Sequence, residues 1–164
     1  MTEKEYNEGV EAWSDDVYRF ALRCSGDRET SRDAVQDAFA ALWEHRDAVR
    51  VEKGKSYLLG TAYHRVMDDF RRQKTMRSHE DTLRREQATA ARPDEGFDLR
   101  EALQRALARL PQVQRALVEL RDVEGMSYDE MGATLGLSLQ QVQVYLFRAR
   151  VAMKKMLISE GYGK

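Results

Sequence analysis

The chain has 164 residues, of which 42% are hydrophobic and 34% charged, and its formal net charge is -1. This length and composition indicate a globular protein with one ordinary core or two small ones, and they exclude a disordered chain. No apolar run is long enough to span a membrane and the acidic start, MTEKEYNEGVEAW, has no signal-peptide core, so we expect a cytoplasmic protein without membrane insertion.

The first helix is predicted from Tyr6 to Cys24, where apolar residues recur at helical spacing, and Ser25-Gly26-Asp27 ends it. Cys24 is the only cysteine, so an internal disulfide is excluded and a buried thiol is expected. Without Cys pairs or a His cluster the sequence contains no zinc motif. We therefore expect neither a metal nor a cofactor.

A second amphipathic helix is predicted to run to about His45, with Asp27 or Thr30 as its cap. Its apolar stripe ends in Trp43, and its other side includes Asp33, Gln36 and Asp37. Two carboxylates one turn apart can form a docking surface for a basic partner. On these residues alone, however, a solvated face is the better interpretation.

The next segment, residues 46–55, is polar, contains Gly54 and has no helical period, so it is predicted to be a loop. Ser56 is predicted to cap a third helix that reaches about Lys74. One stripe of this helix combines aromatic, hydroxyl, imidazole and guanidinium groups: Tyr57, Thr61, His64, Asp68 and Arg71 or Arg72. Such a stripe suits melted nucleic acid, because rings stack on bases and cations meet phosphates.

The alternative for this stripe is an ordinary surface, with Tyr57 half-buried and His64 paired with Asp68 one turn away. The same pair could suggest acid-base or metal chemistry. An active site is disfavoured because no nucleophile or further ligand lies nearby in the sequence.

Residues 75–97 lose the apolar period, are mixed in charge and end in Arg92-Pro93-Asp94-Glu95-Gly96. We expect a flexible linker there, between an N-terminal domain of residues 1–74 and a C-terminal domain of residues 98–164. The predicted fold is all-α: two small helical domains, of which the C-terminal one is a four-helix domain ending in a helix-turn-helix.

In the C-terminal domain the apolar period returns at every third or fourth residue: Leu99, Leu103, Leu107 and Leu110. Pro111 stops or restarts this helix. The next helix is predicted from Gln112 to about Asp122, and Gly125 ends it.

Residues 126–150 predict the helix-turn-helix. Two capping boxes place two helix starts eleven residues apart: Ser127 with Glu130, and Ser138 with Gln141. Gly136 between them can take the left-handed conformation that ends a helix. The second helix is predicted to turn one apolar stripe toward the core: Leu139, Val142, Leu146, Ala149, Met153 and Leu157.

The outward side of this second helix carries polar, basic and apolar groups: Gln140, Gln141, Gln143, Val144, Phe147, Arg148, Val151 and Lys155. Glutamine, arginine and an exposed aromatic ring suit base edges and phosphates, so DNA binding is favoured over a merely solvated face. The net charge of -1 argues against general nucleic-acid coating, but residues 138–164 contain five Lys or Arg against one Glu. DNA binding therefore depends on local patches.

Three groups of residues carry a family resemblance. The second helix has Asp33-Ala34-Val35-Gln36-Asp37-Ala38-Phe39 and then Leu42-Trp43; the third has Tyr57-Leu58, His64, Asp68 and Arg71-Arg72; the C-terminal domain has Leu110-Pro111, Gln114-Arg115, Tyr128-Asp129-Glu130-Met131, Leu135-Gly136-Leu137-Ser138, Val142 and Leu146-Phe147-Arg148-Ala149-Arg150. In order, spacing and linker position, nearly the whole chain resembles the extracytoplasmic-function (ECF) branch of the sigma-70 family of bacterial RNA polymerase sigma factors.

The resemblance implies core RNA polymerase, double-stranded promoter DNA, its melted single strand and an anti-sigma factor as partners. It implies polymerase contacts for Asp33, Gln36, Asp37 and Trp43. At the downstream (-10) element it implies contacts from Lys53, Lys55, Tyr57, His64, Arg71 and Arg72, with the loop from Val51 to Lys55 at a flipped base. At the upstream (-35) element it implies contacts from Gln140, Gln143, Val144, Phe147, Arg148, Arg150 and Lys154.

The recognition helix departs from the family. Where the family commonly has Thr-Val-Lys-Ser-Arg, this chain has Gln141-Val142-Gln143-Val144-Tyr145, which removes two cationic positions and weakens phosphate contacts. Two alternatives to a promoter-specificity factor follow: a sigma-like decoy that occupies an anti-sigma factor, and a plain helix-turn-helix regulator, which leaves the N-terminal matches unexplained. An enzyme is the least expected class.

Overall fold

The computed structural model describes residues 1–76 and 98–163, and in these two ranges it contains seven α-helices and no strand. The N-terminal unit consists of α1 (Glu3–Ser25), α2 (Arg28–Glu44), a 3-10 turn (Arg46–Ala48) and α3 (Val51–Met76). The C-terminal unit consists of α4 (Leu99–Arg109), α5 (Gln112–Val118), a π-helical turn (Glu119–Val123), α6 (Tyr128–Leu135) and α7 (Leu139–Ser159). The prediction of an all-α fold is confirmed.

In the N-terminal unit the three helices pack around large apolar side chains that are fully buried, among them Phe20, Leu42 and Leu58. Gly26 has a φ of 71° and ends α1 in the left-handed conformation. Asp27, not Thr30, caps α2, because its Oδ2 accepts a hydrogen bond from the Thr30 backbone N–H at 2.9 Å.

The predicted loop over residues 46–55 is wrong. Arg46–Ala48 form a 3-10 turn, and Val51–Lys55 are already the first turn of α3, so Ser56 lies inside the helix and caps nothing. Gly54 had suggested a loop, but it is a packing residue: a Cβ there would lie 2.6 Å from Cη2 of Trp13. The helical period is hidden because this first turn carries charged side chains, Glu52 and Lys53, at its exposed positions.

The expected linker falls mostly outside the described residues. Helix α3 continues to Met76, two residues past the expected domain boundary at 74. Residues 77–97 lie outside the described part of the chain. Asp98 then caps α4, its Oδ1 accepting from the Arg100 N–H at 3.0 Å.

The core of the C-terminal unit includes Leu117, Met131, Val142 and Leu146, all essentially buried. One predicted core position, Leu139, is wrong, because it is 48% exposed, and Leu99 at the start of α4 is likewise 49% exposed. Each is the first residue of its helix, at an end that extends past the packed layer. In α4 the buried positions are instead two alanines, Ala102 and Ala106, whose small side chains let the helix lie close to its neighbours.

The helix-turn-helix is formed by α6 and α7. The capping box of Ser138 and Gln141 is complete, whereas at Ser127 the Glu130 carboxylate accepts from the serine hydroxyl and not from its backbone. Gly136 is left-handed, with φ 72°, as predicted. Gly132, which the sequence did not single out, makes the turn tight, because a Cβ there would lie 2.7 Å from the Leu137 carbonyl oxygen.

None of the helices in residues 1–76 and 98–163 is long and apolar enough to cross a bilayer. The two units touch: α1 and α3 of the N-terminal unit contact α5 and α6 of the C-terminal unit. The buried apolar residues of both units join into one cluster across this contact.

Candidate nucleic-acid interface

Helix α2 presents the four residues for which polymerase contacts are expected. Asp33 and Gln36 are exposed. Asp37 forms an ion pair with Arg65 of α3, Oδ2 to Nε 2.9 Å, although the N–H is not aligned for a hydrogen bond. Trp43 is 36% exposed. All four side chains are thus reachable from solvent on a helix that is firmly packed on its other side.

Trp43 is held in place by two ring contacts. The Tyr6 ring meets it edge-on at 4.9 Å between centroids, and the Arg46 guanidinium lies 3.8 Å from the indole centroid. A cation over an indole face is favourable, and the arginine also donates to the Trp43 carbonyl oxygen at 2.7 Å. The indole is therefore fixed before any partner arrives.

The stripe expected to meet the melted strand lies along α3. Tyr57 is half-buried, and its hydroxyl oxygen is 3.3 Å from His45 Nδ1. His64 is exposed and packs edge-on against Tyr63 at 5.3 Å. Tyr57 thus lies beside the His45 ring and His64 beside the Tyr63 ring, and neither of the two side chains is fully buried.

The two arginines at the end of this stripe are engaged with acids on their own helix. Arg71 Nη1 lies 3.3 Å from Asp68 Oδ1, and Arg72 Nη2 lies 3.6 Å from Asp69 Oδ1. Asp68 is thus the partner of Arg71, and the suggested pairing with His64 is replaced. Both arginines remain exposed, so phosphates can compete for them.

A groove of about 450 Å³ runs beside the first turns of α3. Its walls include Lys53, Tyr57 and His64 from α3, and Ala133 and Thr134 from α6. The groove is thus bounded by both units, and the expected −10 residues line one side of it.

Lys55, another of the expected DNA contacts, has its ammonium group bound by two carboxylates. Its Nζ lies 2.8 Å from Asp16 Oδ2 and 2.8 Å from Glu124 Oε1. Burial lowers the pKa of Lys55, but the hydrogen bonds to the two carboxylates outweigh it and raise that pKa above its usual value. The hydrogen bond from Lys55 also lowers the pKa of Asp16.

On α7 the expected −35 residues form an open surface. Phe147 is 69% exposed, and Gln140, Gln143, Val144, Arg148 and Lys154 are also exposed. Arg150 differs, since its guanidinium binds Asp122 with two contacts of 3.0 and 3.3 Å. That hydrogen bonding raises the pKa of Arg150. The outward side of α7 is therefore a mixed apolar and amide surface with cations at its edge.

Sequence reasoning missed the polar groups between the two units. Glu119 is 2% exposed and accepts from Arg23 Nη1 at 3.2 Å. Arg115 donates from Nη1 to the Arg23 carbonyl at 2.9 Å, and from Nε to the Leu107 carbonyl at 2.9 Å. Burial raises the pKa of Glu119 and lowers that of Arg115. The available signal was an acid inside the apolar run Ala116–Leu120.

No cluster of three or more His, Cys, Asp or Glu suited to a metal ion is found in the described ranges. Cys24 is buried, and burial raises the pKa of its thiol to about 12. This thiol is therefore neutral and unreactive at ordinary pH.

Comparison with known proteins matches both units. The family model described as sigma-70 region 2 matches residues 10–75, and the one described as sigma-70 region 4 matches residues 100–153. The ECF RNA polymerase sigma factor SigF of Caulobacter vibrioides is 33% identical over 144 residues, covering 84% of this chain and 76% of that protein.

Two further relatives carry the same family name. SigE of Mycolicibacterium smegmatis is 31% identical over 157 residues, 93% of this chain and 61% of SigE, so the chain spans under two thirds of that relative. SigM of Bacillus subtilis is 25% identical over 152 residues, covering 92% of this chain and 93% of SigM.

Among solved structures, the fold is similar to that of the sigma factor RpoE of Bartonella quintana, determined in complex with the anti-sigma factor NepR. The TM-score is 0.64 at 19% sequence identity, and the alignment covers 94% of this chain and 97% of RpoE. Fold, region order and sequence identity agree with one another. The chain therefore belongs to the ECF branch of the sigma-70 family of RNA polymerase sigma factors.

Proposed function

We propose that this chain binds core RNA polymerase through α2 and directs it to promoters by reading a −35 element with α7 and a −10 element with α3. It does no covalent chemistry itself and acts in the cytoplasm. The observation that carries the proposal is the presence of both sigma regions, in order, on one chain. A regulator that used only the helix-turn-helix would have no use for the N-terminal unit.

The polymerase surface is assigned to Asp33, Gln36, Asp37 and Trp43 of α2. An indole that Tyr6 and Arg46 hold in place, on a helix that also exposes Asp33 and Asp37, has the features of a binding hot spot, since aromatic anchors lose little entropy on binding. The exposed carboxylates select a basic partner surface.

The −10 surface is assigned to Lys53, Lys55, Tyr57, His64, Arg71 and Arg72. Tyr57 and His64 line the groove, where an unstacked base can enter, and the two arginines lie farther along the same helix, where they can meet the phosphates of the strand. The first turn of α3, not a loop, then carries the lysines that approach the flipped base.

The −35 surface is assigned to Gln140, Gln143, Val144, Phe147, Arg148, Arg150 and Lys154. The second helix of a helix-turn-helix enters the major groove with its N-terminal part, where Gln143 can pair with an adenine edge. Val144 and Phe147 suit thymine methyl groups, and the arginines and Lys154 suit phosphates. We assign residues 1–74 and 98–164 to the two reading domains, and residues 75–97 to the linker between them.

The test is transcription from a fragmented genome with purified core polymerase, followed by sequencing of transcript 5′ ends. We expect a small set of start sites that requires the chain and shares two upstream sequence elements. Trp43→Ala serves as the matched control, because it should remove these starts through lost polymerase binding. Transcript starts at random positions, or the same starts in a reaction without the chain, would contradict the proposal.

A second candidate is a decoy that occupies an anti-sigma factor and binds no promoter. The two cations missing from the start of α7 favour it. The solved relative RpoE is itself bound to an anti-sigma factor, which makes an anti-sigma partner reasonable for this chain as well. The retained Tyr57, Arg71 and Arg72 favour the promoter factor, since a decoy needs no strand-melting residues.

A further inference from the structure

Arg150 lies on the stripe of α7 that is proposed to meet the upstream element. Exposed residues of this helix follow one another at intervals of three or four: Gln143, Phe147, Arg150 and Lys154. Residues at that spacing lie one above another on the same face of a helix. Arg150 therefore has the position of a phosphate contact, between the proposed base contact of Phe147 and the cation of Lys154.

The guanidinium of Arg150 is already bound by a carboxylate from outside α7. Its Nη2 donates to Asp122 Oδ1 at 3.0 Å, and its Nη1 donates to Asp122 Oδ2 at 3.3 Å. A phosphate would bind to the same pair of parallel N–H groups. The side chains are 49% exposed for Arg150 and 48% for Asp122, so DNA can reach the pair and compete for the arginine.

The turn before α6 holds Asp122 in this position. Glu119–Val123 form a π-helical turn, a feature that frequently occurs at functional sites. Arg121, the neighbour of Asp122, fixes this turn to the start of α6. Its Nη1 donates to the Met126 carbonyl at 2.7 Å, and its guanidinium lies 5.1 Å from the Tyr128 ring centroid. The backbone at Asp122 is thus anchored beside the DNA-facing stripe.

A stabilising role does not account for the pair of Asp122 and Arg150. Half-exposed ion pairs contribute little to folding, because water and salt screen them. The orientation of α7 is already determined by its buried side, where Val142, Leu146 and Ala149 lie in the core. What the pair changes is charge. It neutralises one cation of the DNA-facing stripe, on a helix whose start already lacks two cations that the family commonly has.

We propose that Asp122 competes with DNA phosphates for Arg150 and thereby keeps the affinity of the chain for the upstream element low. The inference rests on the proposed function, because it names a residue that tunes the same −35 surface. The effect should not depend on DNA sequence, since phosphate contacts contain no base information. Recognition then depends more strongly on the side chains proposed to meet the bases, among them Gln143 and Phe147.

The test uses the full chain bound to core polymerase and a labelled promoter fragment chosen from the transcript starts. Affinity is measured by fluorescence anisotropy at several salt concentrations. We expect Asp122→Asn to bind about threefold to tenfold more tightly and to steepen the slope of log affinity against log salt by about one, since one cation becomes free for the phosphates. A fragment with a scrambled upstream element should gain by a similar factor.

Three further variants are the controls. Asp122→Glu keeps the carboxylate and should bind as the unchanged chain does. Glu101→Gln removes an exposed carboxylate from α4 and should have no effect. The double variant Asp122→Asn, Arg150→Gln removes both charges of the pair, so its affinity should return to within about twofold of the original value.

The outcomes separate this inference from the proposed function. Unchanged or weaker binding by Asp122→Asn would overturn the role of Asp122, and so would an equal gain in Asp122→Glu or Glu101→Gln. A loss of about tenfold in the double variant would show that Arg150 binds phosphate in spite of Asp122, and would overturn it too. Failure of the unchanged chain to direct polymerase to the fragment would overturn the proposed function, and the role of Asp122 with it.

Discussion

The proposed functional side chains of the N-terminal unit and those of α7 differ in how they are held. In the N-terminal unit, Asp37, Lys55 and Arg71 each bind a charged partner within the chain. On α7, Phe147 and Val144 extend into solvent from a helix whose other side is packed. The N-terminal ion pairs must therefore be exchanged for new ones on binding. On α7 this holds only for Arg150, which binds Asp122, whereas Phe147 and Val144 can dock as they are.

This difference has an energetic consequence. Exchanging one ion pair for another yields little net free energy, so single N-terminal arginines should contribute modestly, and only charge reversal should be severe. An exposed ring that becomes buried against DNA gains its full transfer free energy. The α7 surface should therefore depend on a few apolar side chains, and less on salt than a basic recognition helix would.

The largest effect is expected for Asp37→Arg. It reverses a charge on the proposed polymerase surface and places two arginines together, because Arg65 is the present partner of Asp37. We expect polymerase affinity to fall about 100-fold, measured by titration of labelled chain, since like charges at an interface cost several kcal/mol.

Stability should change little in this variant, because the Asp37 pair is about half exposed and such pairs contribute at most about 1 kcal/mol. Asp15→Arg, at an exposed position of α1, is the matched charge reversal. An equal loss of affinity in this control would remove α2 as the specific docking surface.

The second largest effect is expected for Phe147→Ala, which tests whether an exposed apolar side chain of α7 contributes to DNA binding. The ring is exposed, so the fold should be unaffected, but binding to the upstream element should weaken about tenfold through loss of an apolar base contact. Gel shift with a fragment chosen from the transcript starts gives the measurement. Ile158→Ala, another exposed apolar position on α7, should have no effect, and a similar loss there would contradict the assignment.

A smaller effect is expected for Arg148→Ala. Loss of one phosphate contact should weaken upstream binding about threefold to tenfold and make the slope of log affinity against log salt shallower by about one. Affinity for polymerase should stay the same. Unchanged promoter binding at several salt concentrations would remove Arg148 from the DNA surface.

The smallest effect is expected for Arg71→Ala. Its guanidinium is already partly neutralised by Asp68, so we expect binding of a single-stranded −10 oligonucleotide by the polymerase complex to weaken only about twofold. A tenfold loss would mean that Arg71 leaves Asp68 completely on binding, and that the two surfaces are more alike than the structure suggests.

Helical periodicity and capping chemistry were enough to predict most of the fold. Local conformational preferences of single residues explain the end of α1 at Gly26, the N-cap of α7 at Ser138 and the turn at Gly136. Such preferences can be recognised from the residue type alone. The exposed positions on α2 and α7 were predicted for the same reason, since the buried stripe of a helix determines its opposite face.

The predictions that were wrong or missing concern residues whose environment depends on tertiary contacts. In the sequence Gly54 suggests a loop, and only the structure shows that the Trp13 ring packs against it. Leu139 similarly suggests a core position, but the N-terminal end of α7, where it lies, is exposed. The bridge from Lys55 to Glu124 joins residues far apart in sequence and in different units. Pattern reasoning along one helix cannot find such pairs.

We propose above all that one chain reads two promoter elements, one with α7 and one with α3. The most direct measurement is a hydroxyl-radical footprint, with permanganate probing of unpaired thymines, on a single promoter bound by polymerase and this chain. We predict two protected segments, with unpaired thymines only in the downstream one, and loss of the upstream protection alone after Phe147→Ala. A single protected segment, or strand opening that is unaffected by removing the chain, would contradict it.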